Sequence, residues 1–413
     1  MLARWLGLLA LAAVLLGVVG CGGVAVSNVA EATGGQLTVY SSLPLQGPSA
    51  SISQQIVDGE KLALHDAGGR AGLFKISYYS LDDSSPTSGE WNSDITATNA
   101  KVAAQDTSTI AYLGDLDSGA TAISLPFVNG AGILQISPGS PYVGLTSSFE
   151  AGQDEPDRFY LSGKRTFVRL APGDIAQAEA QVQLMRSLGV RKLYVLDDQD
   201  PFQVPLANIV ADYAERAGIT VAAHDSLSTV PGAVFTGEVE KIVESHAQAV
   251  FLAGGTGKGT AALWRDLHSA DPSLLLLGSS ALASESFTSQ IGGAGAMTYL
   301  TTPVLPDALY PPSAQRVLRD YLSTFGAEGG AYALYGYEAM TVVLDAVRSS
   351  GARGNDRQTV IDRVFATKNR NSVIGSYSVE PDGETTLSRY GVDRVSAGRP
   401  VFLRAITVSR PAQ

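Results

Sequence analysis

The sequence predicts an α/β protein of two lobes with mainly parallel sheets, and three observations carry that expectation. Short apolar runs alternate with segments of helical period along most of the chain. The alternation occurs twice, over residues 37–137 and 167–300, around an irregular stretch at 139–165. The 413 residues are 45% hydrophobic and 17% charged, enough apolar surface for two ordinary cores and too little charge for a disordered polymer.

Residues 1–20 stand apart from the rest. Arg4 precedes an uncharged, largely apolar run from Trp5 to Gly20, shorter than the roughly 20 residues a membrane span needs, so it reads as an export signal peptide. The run ends at the only cysteine. Val18, Val19, Gly20 and Cys21 resemble the lipobox of bacterial lipoproteins, which implies cleavage before Cys21, its lipidation and anchoring of the protein to the cell membrane on the extracytoplasmic side. Residues 21–35 are small, polar and glycine-bounded, as expected of a linker between a lipid anchor and a folded body.

Strands are expected at 37–41, 74–81, 110–113, 133–136, 193–196, 250–252 and 274–277, each a short apolar run. Between the first two, Ile56, Gly59, Ala63 and Ala67 share a helical face whose small residues permit close packing, and Gly68 and Gly69 end it. Leu206, Ile209, Val210, Tyr213 and Ala217 recur at spacings of three and four, giving residues 205–217 one apolar face before Gly218. Three further helices are expected at 313–325, 331–349 and 357–365, followed by extended segments around Tyr377, Val392 and Phe402.

Composition excludes several function classes. Forty acidic against 29 basic residues leave a net charge of -11, so no phosphate-neutralising surface for nucleic acid is expected. One cysteine permits neither an intramolecular disulfide nor a cysteine-based metal site, and His65, His224, His246 and His268 are scattered without metal-ligand spacing. No metal and no cofactor are expected. The glycine-rich segment Gly254 to Thr260 follows a strand, but Leu252 stands where a P-loop needs its first glycine and Gly259 where it needs a hydroxyl. There is no GxSxG elbow, and the adjacent Asp82 and Asp83 read as turn-capping groups. An enzyme is not expected.

The most informative cluster is Gly114-Asp115-Leu116-Asp117-Ser118-Gly119-Ala120-Thr121, between an expected strand and a helix. The amides of residues 119–121 should point outward with the positive end of the helix dipole, and Ser118 and Thr121 add hydroxyls, so a carboxylate or small anion would fit. A serine cap serving only its own helix is the equal alternative.

At these residues the chain resembles the branched-chain amino-acid (leucine, isoleucine and valine) binding proteins, the extracytoplasmic receptors of ABC importers with the type I periplasmic binding fold. The resemblance runs from Gly47 through the segments at 66–72, 75–83, 109–121, 130–141, 167–174, 185–198 and 373–384. It implies two Rossmann-like lobes joined by a three-crossover hinge, with crossovers near 163–167, 300–302 and 375. Lobe one would be 36–165 and 301–374; lobe two, 166–300 and 375–413. The ligand-binding residues it implies are Asp117, Ser118, Gly119 and Thr121 in the serine-rich turn, Gly139 and Ser140 beside it, and Phe202, Thr256 and Ser280 from lobe two. Thr256 and Ser280 stand where amino-acid binders commonly carry a tyrosine and an acidic group. An amino acid's ammonium would then need Asp117 or Glu285 instead.

The expected function is a lipoprotein that captures a small polar solute, an amino acid or related compound, and delivers it to a membrane permease as a monomer. The alternative is a sensory or regulatory binding protein that docks to a membrane receptor.

Overall fold

The computed structural model describes residues 31–230 and 232–408, so the expected signal segment, Cys21 and most of the linker lie outside the described residues. The first sheet contains β1 (Gln36–Leu43), β2 (Arg70–Ala71), β3 (Phe74–Asp82), β4 (Thr109–Gly114), β5 (Leu134–Ser137) and β6 (Phe167–Arg169) in the order β2-β3-β1-β4-β5-β6. All neighbours run parallel except β2 with β3. Helices α1 (Ala50–Asp66), α2 (Ser93–Gln105) and α3 (Ser118–Gly130) connect these strands.

The second half repeats the plan. It comprises α4 (Asp174–Ser187), β7 (Lys192–Asp197), α5 (Val204–Arg216), β8 (Thr220–Ser226), α6 (Thr236–Glu244), β9 (Ala249–Ala253), α7 (Lys258–Ala270), β10 (Leu275–Gly278), α8 (Glu285–Thr288) and β11 (Thr298–Thr302). The C-terminal part adds α9 (Pro312–Phe325), α10 (Ala331–Ser349), α11 (Arg357–Phe365), the hairpin of β12 (Arg370–Ser372) with β13 (Gly375–Tyr377), then β14 (Arg389–Ser396) and β15 (Arg399–Thr407). Sheet two runs β15-β14-β11-β10-β9-β7-β8, with β14 antiparallel to both its neighbours, β11 and β15, and all other pairs parallel.

Each sheet is covered on both faces, which is why β4 and β9 are buried at every residue and read as continuous apolar runs. In the first lobe α1, α9, α10 and α11 pack on one face, while Ala100 and Ala103 of α2 and Val128 of α3 meet Tyr40 and Tyr112 on the other. Helices α1 and α10 cross at backbone contact: a Cβ on Gly59 would fall 2.1 Å from the Ala333 carbonyl oxygen, and one on Gly336 2.1 Å from that of Ile56. In the second lobe α4 and α5 cover one face and α6 and α7 the other, where Trp264 packs edge-on against Phe287.

Sheet one continues through β6 to Arg169, sheet two continues through β11 to Thr302, and residues 374 and 375 lie in the β12–β13 hairpin, whose Tyr377 joins the first core. The crossings therefore fall at residues 170–173, 303–311 and 378–388. The irregular stretch carries only short 3-10 turns, and its Tyr142, Val143, Leu145, Phe159 and Tyr160 insert into the core formed with α4 and α5.

Candidate functional site

In each sheet the order of strands reverses at one place, between β1 and β4 in the first and between β7 and β9 in the second. Helices leave neighbouring strands toward opposite faces there, so the carboxyl ends of the strands bound a crevice. The two crevices meet. A Cβ on Gly119, in the turn after β4, would lie 3.0 Å from Cε2 of Phe202, in the turn after β7. Phe202 also packs edge-on against Tyr142, with ring centroids 5.1 Å apart.

The head of α3 is framed by a buried polar network. The carboxyl of Asp115 accepts hydrogen bonds from the hydroxyls of Tyr112, at 3.1 Å, and Ser124. Its backbone carbonyl accepts from Ser137 at 2.7 Å and Ser140 at 3.0 Å, and its amide donates to Thr121 Oγ1 at 3.3 Å. The Thr121 and Ser140 hydroxyls pair at 2.5 Å, and Ser137 Oγ accepts from the amides of Gly139 at 3.1 Å and Ser140 at 2.9 Å. Arg169, almost fully buried, clamps the adjoining turn by donating to the carbonyls of Ser140 at 2.6 Å and Tyr142 at 2.9 Å while pairing with Glu384. Thr121 and Ser140 thus hold the turn through their own hydroxyls, and Gly139 faces Leu116, whose Cδ1 would be 2.6 Å from an added Cβ.

The outer side of the same turn carries Ser118, Gly119 and Asp117. Ser118 is half-buried, and its Oγ accepts from the Tyr142 amide at 3.2 Å, which leaves its proton to donate. Gly119 lies under Trp91 as well as Phe202: an added Cβ would sit 2.4 Å from Trp91 Cζ2. Asp117 occupies the cap position of α3 but makes no capping bond, and its carboxylate has no hydrogen-bond or ion-pair partner among the described residues. Burial pushes its carboxyl up to about 6, with repulsion from Glu90 adding to the rise. Asp83 and Asp115 are pushed up chiefly by burial, and repulsion from Asp117 raises both further.

On the second lobe, Asp200 Oδ1 accepts from the Phe202 amide at 2.7 Å and fixes the turn that presents the ring. Asp198 Oδ2 accepts from Gly255 at 2.7 Å, next to half-buried Thr256, whose hydroxyl bonds no described residue. Ser280 donates to Gln177 Oε1 at 3.0 Å; Tyr390 donates to the same oxygen at 3.2 Å, while Gln177 Nε2 is buried without a partner. Glu285 corrects the expectation made for it. It pairs with Arg399 at 3.0 Å on the surface, both side chains exposed, at the hairpin between β14 and β15 rather than in the crevice. Of the two carboxylates weighed as partners for an ammonium, only Asp117 stands at the site.

Sequence reasoning missed Trp91 and Tyr332. Trp91 interrupts a polar loop just before Asn92, which caps α2; a large aromatic among polar residues was the available signal. Tyr332, at the start of α10, packs with Leu116 and Leu43 and is close enough to Asp117 that its phenol, pushed up to about 12 by burial, feels that charge. Among the described residues no group of three or more histidine, cysteine or acidic side chains could hold a metal ion, and no helix is long and apolar enough to cross a membrane.

Two doubly wound lobes, crossed between three times, meet here at the carboxyl ends of their strands. The chain belongs to the periplasmic binding protein family, whose model matches residues 39–398. This is the family its sequence resembled, one of solute-binding proteins and not of enzymes. Among solved structures it is similar to a leucine-binding protein of Thermotoga maritima, with 19% identity, TM-score 0.73 and coverage of 90% of this chain and 99% of that one. It is also similar to the branched-chain amino acid transporter substrate-binding protein of Streptococcus pneumoniae in complex with isoleucine, with 16% identity, TM-score 0.69 and coverage of 90% and 99%. A solute-binding protein of an ABC transporter from R. palustris, in complex with benzoate, gives 16% identity, TM-score 0.69 and coverage of 91% and 98%. A search of the curated proteins finds no match.

Proposed function

We propose that this protein is an extracytoplasmic lipoprotein, anchored through Cys21, that captures a small polar solute between its lobes and delivers it to the permease of an ABC importer. The observation that carries this reading is the meeting of Phe202, in the turn after β7, with Gly119, at the head of α3. A solute held there touches both lobes at once, and only such contacts favour a closed arrangement over an open one. Ser118 supplies a hydroxyl donor and the rings supply apolar cover, the combination by which small-molecule sites bind and orient.

The lobes are proposed to be residues 36–169 with 303–377, and 170–302 with 378–408, moved from the sequence-based boundaries by the strand pairings above. Micromolar affinity corresponds to about 8 kcal/mol, within reach of a few hydrogen bonds and one aromatic cover. Calorimetric titration of the full chain with amino acids, aromatic acids, amides, amines and sugars tests the reading. Saturable one-site binding of a member is expected, and absence of binding across the panel contradicts it. Mass spectrometry of the membrane fraction of a producing bacterium tests the anchor: a diacylglyceryl mass on a chain beginning at Cys21 is expected, and an unmodified chain in the soluble fraction contradicts it.

A further inference from the structure

We propose that the hinge holds a second binding site, for a small apolar carboxylate such as a short-chain or alicyclic acid, and that filling it shifts the affinity of the crevice for its solute. The coupling rests on the receptor reading above; the binding site does not.

The site is a cavity of about 370 Å³, within the range of ordinary small-molecule pockets. All three crossings wall it: Pro172 from the first, Leu305 and Tyr310 from the second, Leu387 and Ser388 from the third. Tyr335 and Ile374, from the first lobe's core, complete it. No residue of the turn before α3 lines it, and neither do Phe202, Thr256 and Ser280, so it is separate from the crevice. Its two phenols are engaged with the second crossing. Tyr310 accepts from the Leu305 amide at 3.0 Å, and Tyr335 donates to the Pro303 carbonyl at 3.3 Å. The walls are mainly proline, aliphatic and aromatic side chains, which suit an apolar body.

Charge selects the head group. Arg389 is the only charged residue in the lining; Asp307, on the second crossing, does not reach it. The Arg389 side chain is exposed, makes no ion pair among the described residues and donates Nη1 to the Leu309 carbonyl at 3.1 Å. The other N–H groups of its fork bond no described residue, and neither does the Ser388 hydroxyl beside it in the chain. A guanidinium fork matches a carboxylate in charge and shape. The adjoining cavity, of about 140 Å³, has the opposite character. Pro172 and residues 386–388 line both cavities, but the smaller one carries Asp174, Glu179 and Glu384, and its single arginine, Arg169, is already paired with Glu384. An anion is repelled there.

Rotation of the lobes displaces the crossings relative to one another, so a body wedged among all three fits one arrangement better than the other. A ligand with unequal affinity for two arrangements shifts their populations, and its coupling to the solute is reciprocal.

Calorimetric titration of the full chain with hexanoate, and with 1-hexanol as its uncharged counterpart, tests the site. Hexanoate is expected to bind, and 1-hexanol to bind about tenfold or more weakly. Arg389→Gln should remove that preference. Ser376→Trp, at an exposed position in the lining, should abolish binding of both, and Ser118→Ala/Phe202→Ala should leave hexanoate binding as in wild type. Circular dichroism checks the fold of each variant. Saturating hexanoate should change the affinity of the wild type for the tightest-binding member of the solute panel by about fivefold or more. Absence of hexanoate binding, or binding that either single substitution leaves intact, overturns the site. Loss of hexanoate binding in the Ser118→Ala/Phe202→Ala chain puts the acid in the crevice, which overturns the hinge site and supports the receptor reading. If hexanoate binds as expected and no panel member does, the site stands and the receptor reading falls with the coupling. If both bind without affecting each other, the coupling alone falls.

Discussion

The two crevices are built by the same rule and finished differently. In the first lobe the turn after β4 is fastened by Asp115, Ser137, Ser140, Thr121 and Arg169, all buried and bonded to one another or to the turn's backbone. In the second lobe the turn after β9 is held by two ties, the Gly255 amide on Asp198 and the Thr260 hydroxyl on the Gly255 carbonyl at 2.8 Å. A satisfied buried network rigidifies what it encloses. The turn of the first lobe is therefore the more firmly framed; under the proposed function it is the preformed half of the site, and Phe202, in the turn after β7, is its cover. Rigid positioning on one side limits the ordering cost of binding to the other.

This contrast can be broken most severely at Arg169. Arg169→Met removes the guanidinium that pairs with Glu384 and donates to the carbonyls of Ser140 and Tyr142, and should cost about 3–5 kcal/mol in urea denaturation. Thr121→Val deprives Ser140 and the Asp115 amide of a partner in a dry site and should cost about 1–3 kcal/mol. A Thr121→Val chain as stable as wild type would show that the network does not fasten the turn.

Two carboxylates, one in each lobe, are shifted in opposite directions. In the first, burial pushes Glu60, which accepts from Tyr78 at 2.5 Å, up to about 8. The folded chain then binds a proton that the unfolded chain has released. That group's contribution to stability is full below its ordinary value near 4.5, declines as pH rises toward 8, and is level above it. The slope is at most about 1.4 kcal/mol per pH unit, and Glu60→Gln should flatten it. Asp225 of the second lobe is held below the usual carboxylate range, first by the Tyr194 hydroxyl, so its contribution is lost instead as pH falls. The smallest effect is expected at Ser280. Ser280→Ala removes one of two hydrogen bonds to Gln177 Oε1 while Tyr390 keeps the other, a change of about 1 kcal/mol or less by thermal unfolding.

The sheets were legible in the sequence wherever strands are buried on both faces. Residues 37–41, 74–81, 110–113, 193–196 and 250–252 all fall inside strands, 133–136 and 274–277 each begin one residue before β5 and β10, and helix α10 begins and ends where its pattern does. Strand β8 escaped notice because it is an edge: its Ala222, Ala223, His224 and Asp225 are only half-buried and carry no apolar run. Strands β6 and β11 were read as hinge because each runs directly into a crossing.

At the site, the spacing from Gly114 to Thr121 located the head of α3, since a strand, a turn and a hydroxyl cap are local signals. Which hydroxyls face inward was not local. Ser140 and Thr121 are consumed by a network whose other members, Ser137 and Asp115, were unremarkable in sequence. Trp91 and Tyr332 reach the same turn from segments far apart in the chain, so only the fold brings them together.

The claim that a solute is held between Ser118 on the preformed half and Phe202 on the cover is tested most directly by titrating the tightest-binding panel member into wild-type and Ser118→Ala/Phe202→Ala chains. Losing a hydroxyl donor and an aromatic cover together should weaken binding by about a hundredfold or more with the fold intact. An affinity equal to wild type would place the solute elsewhere and contradict the account.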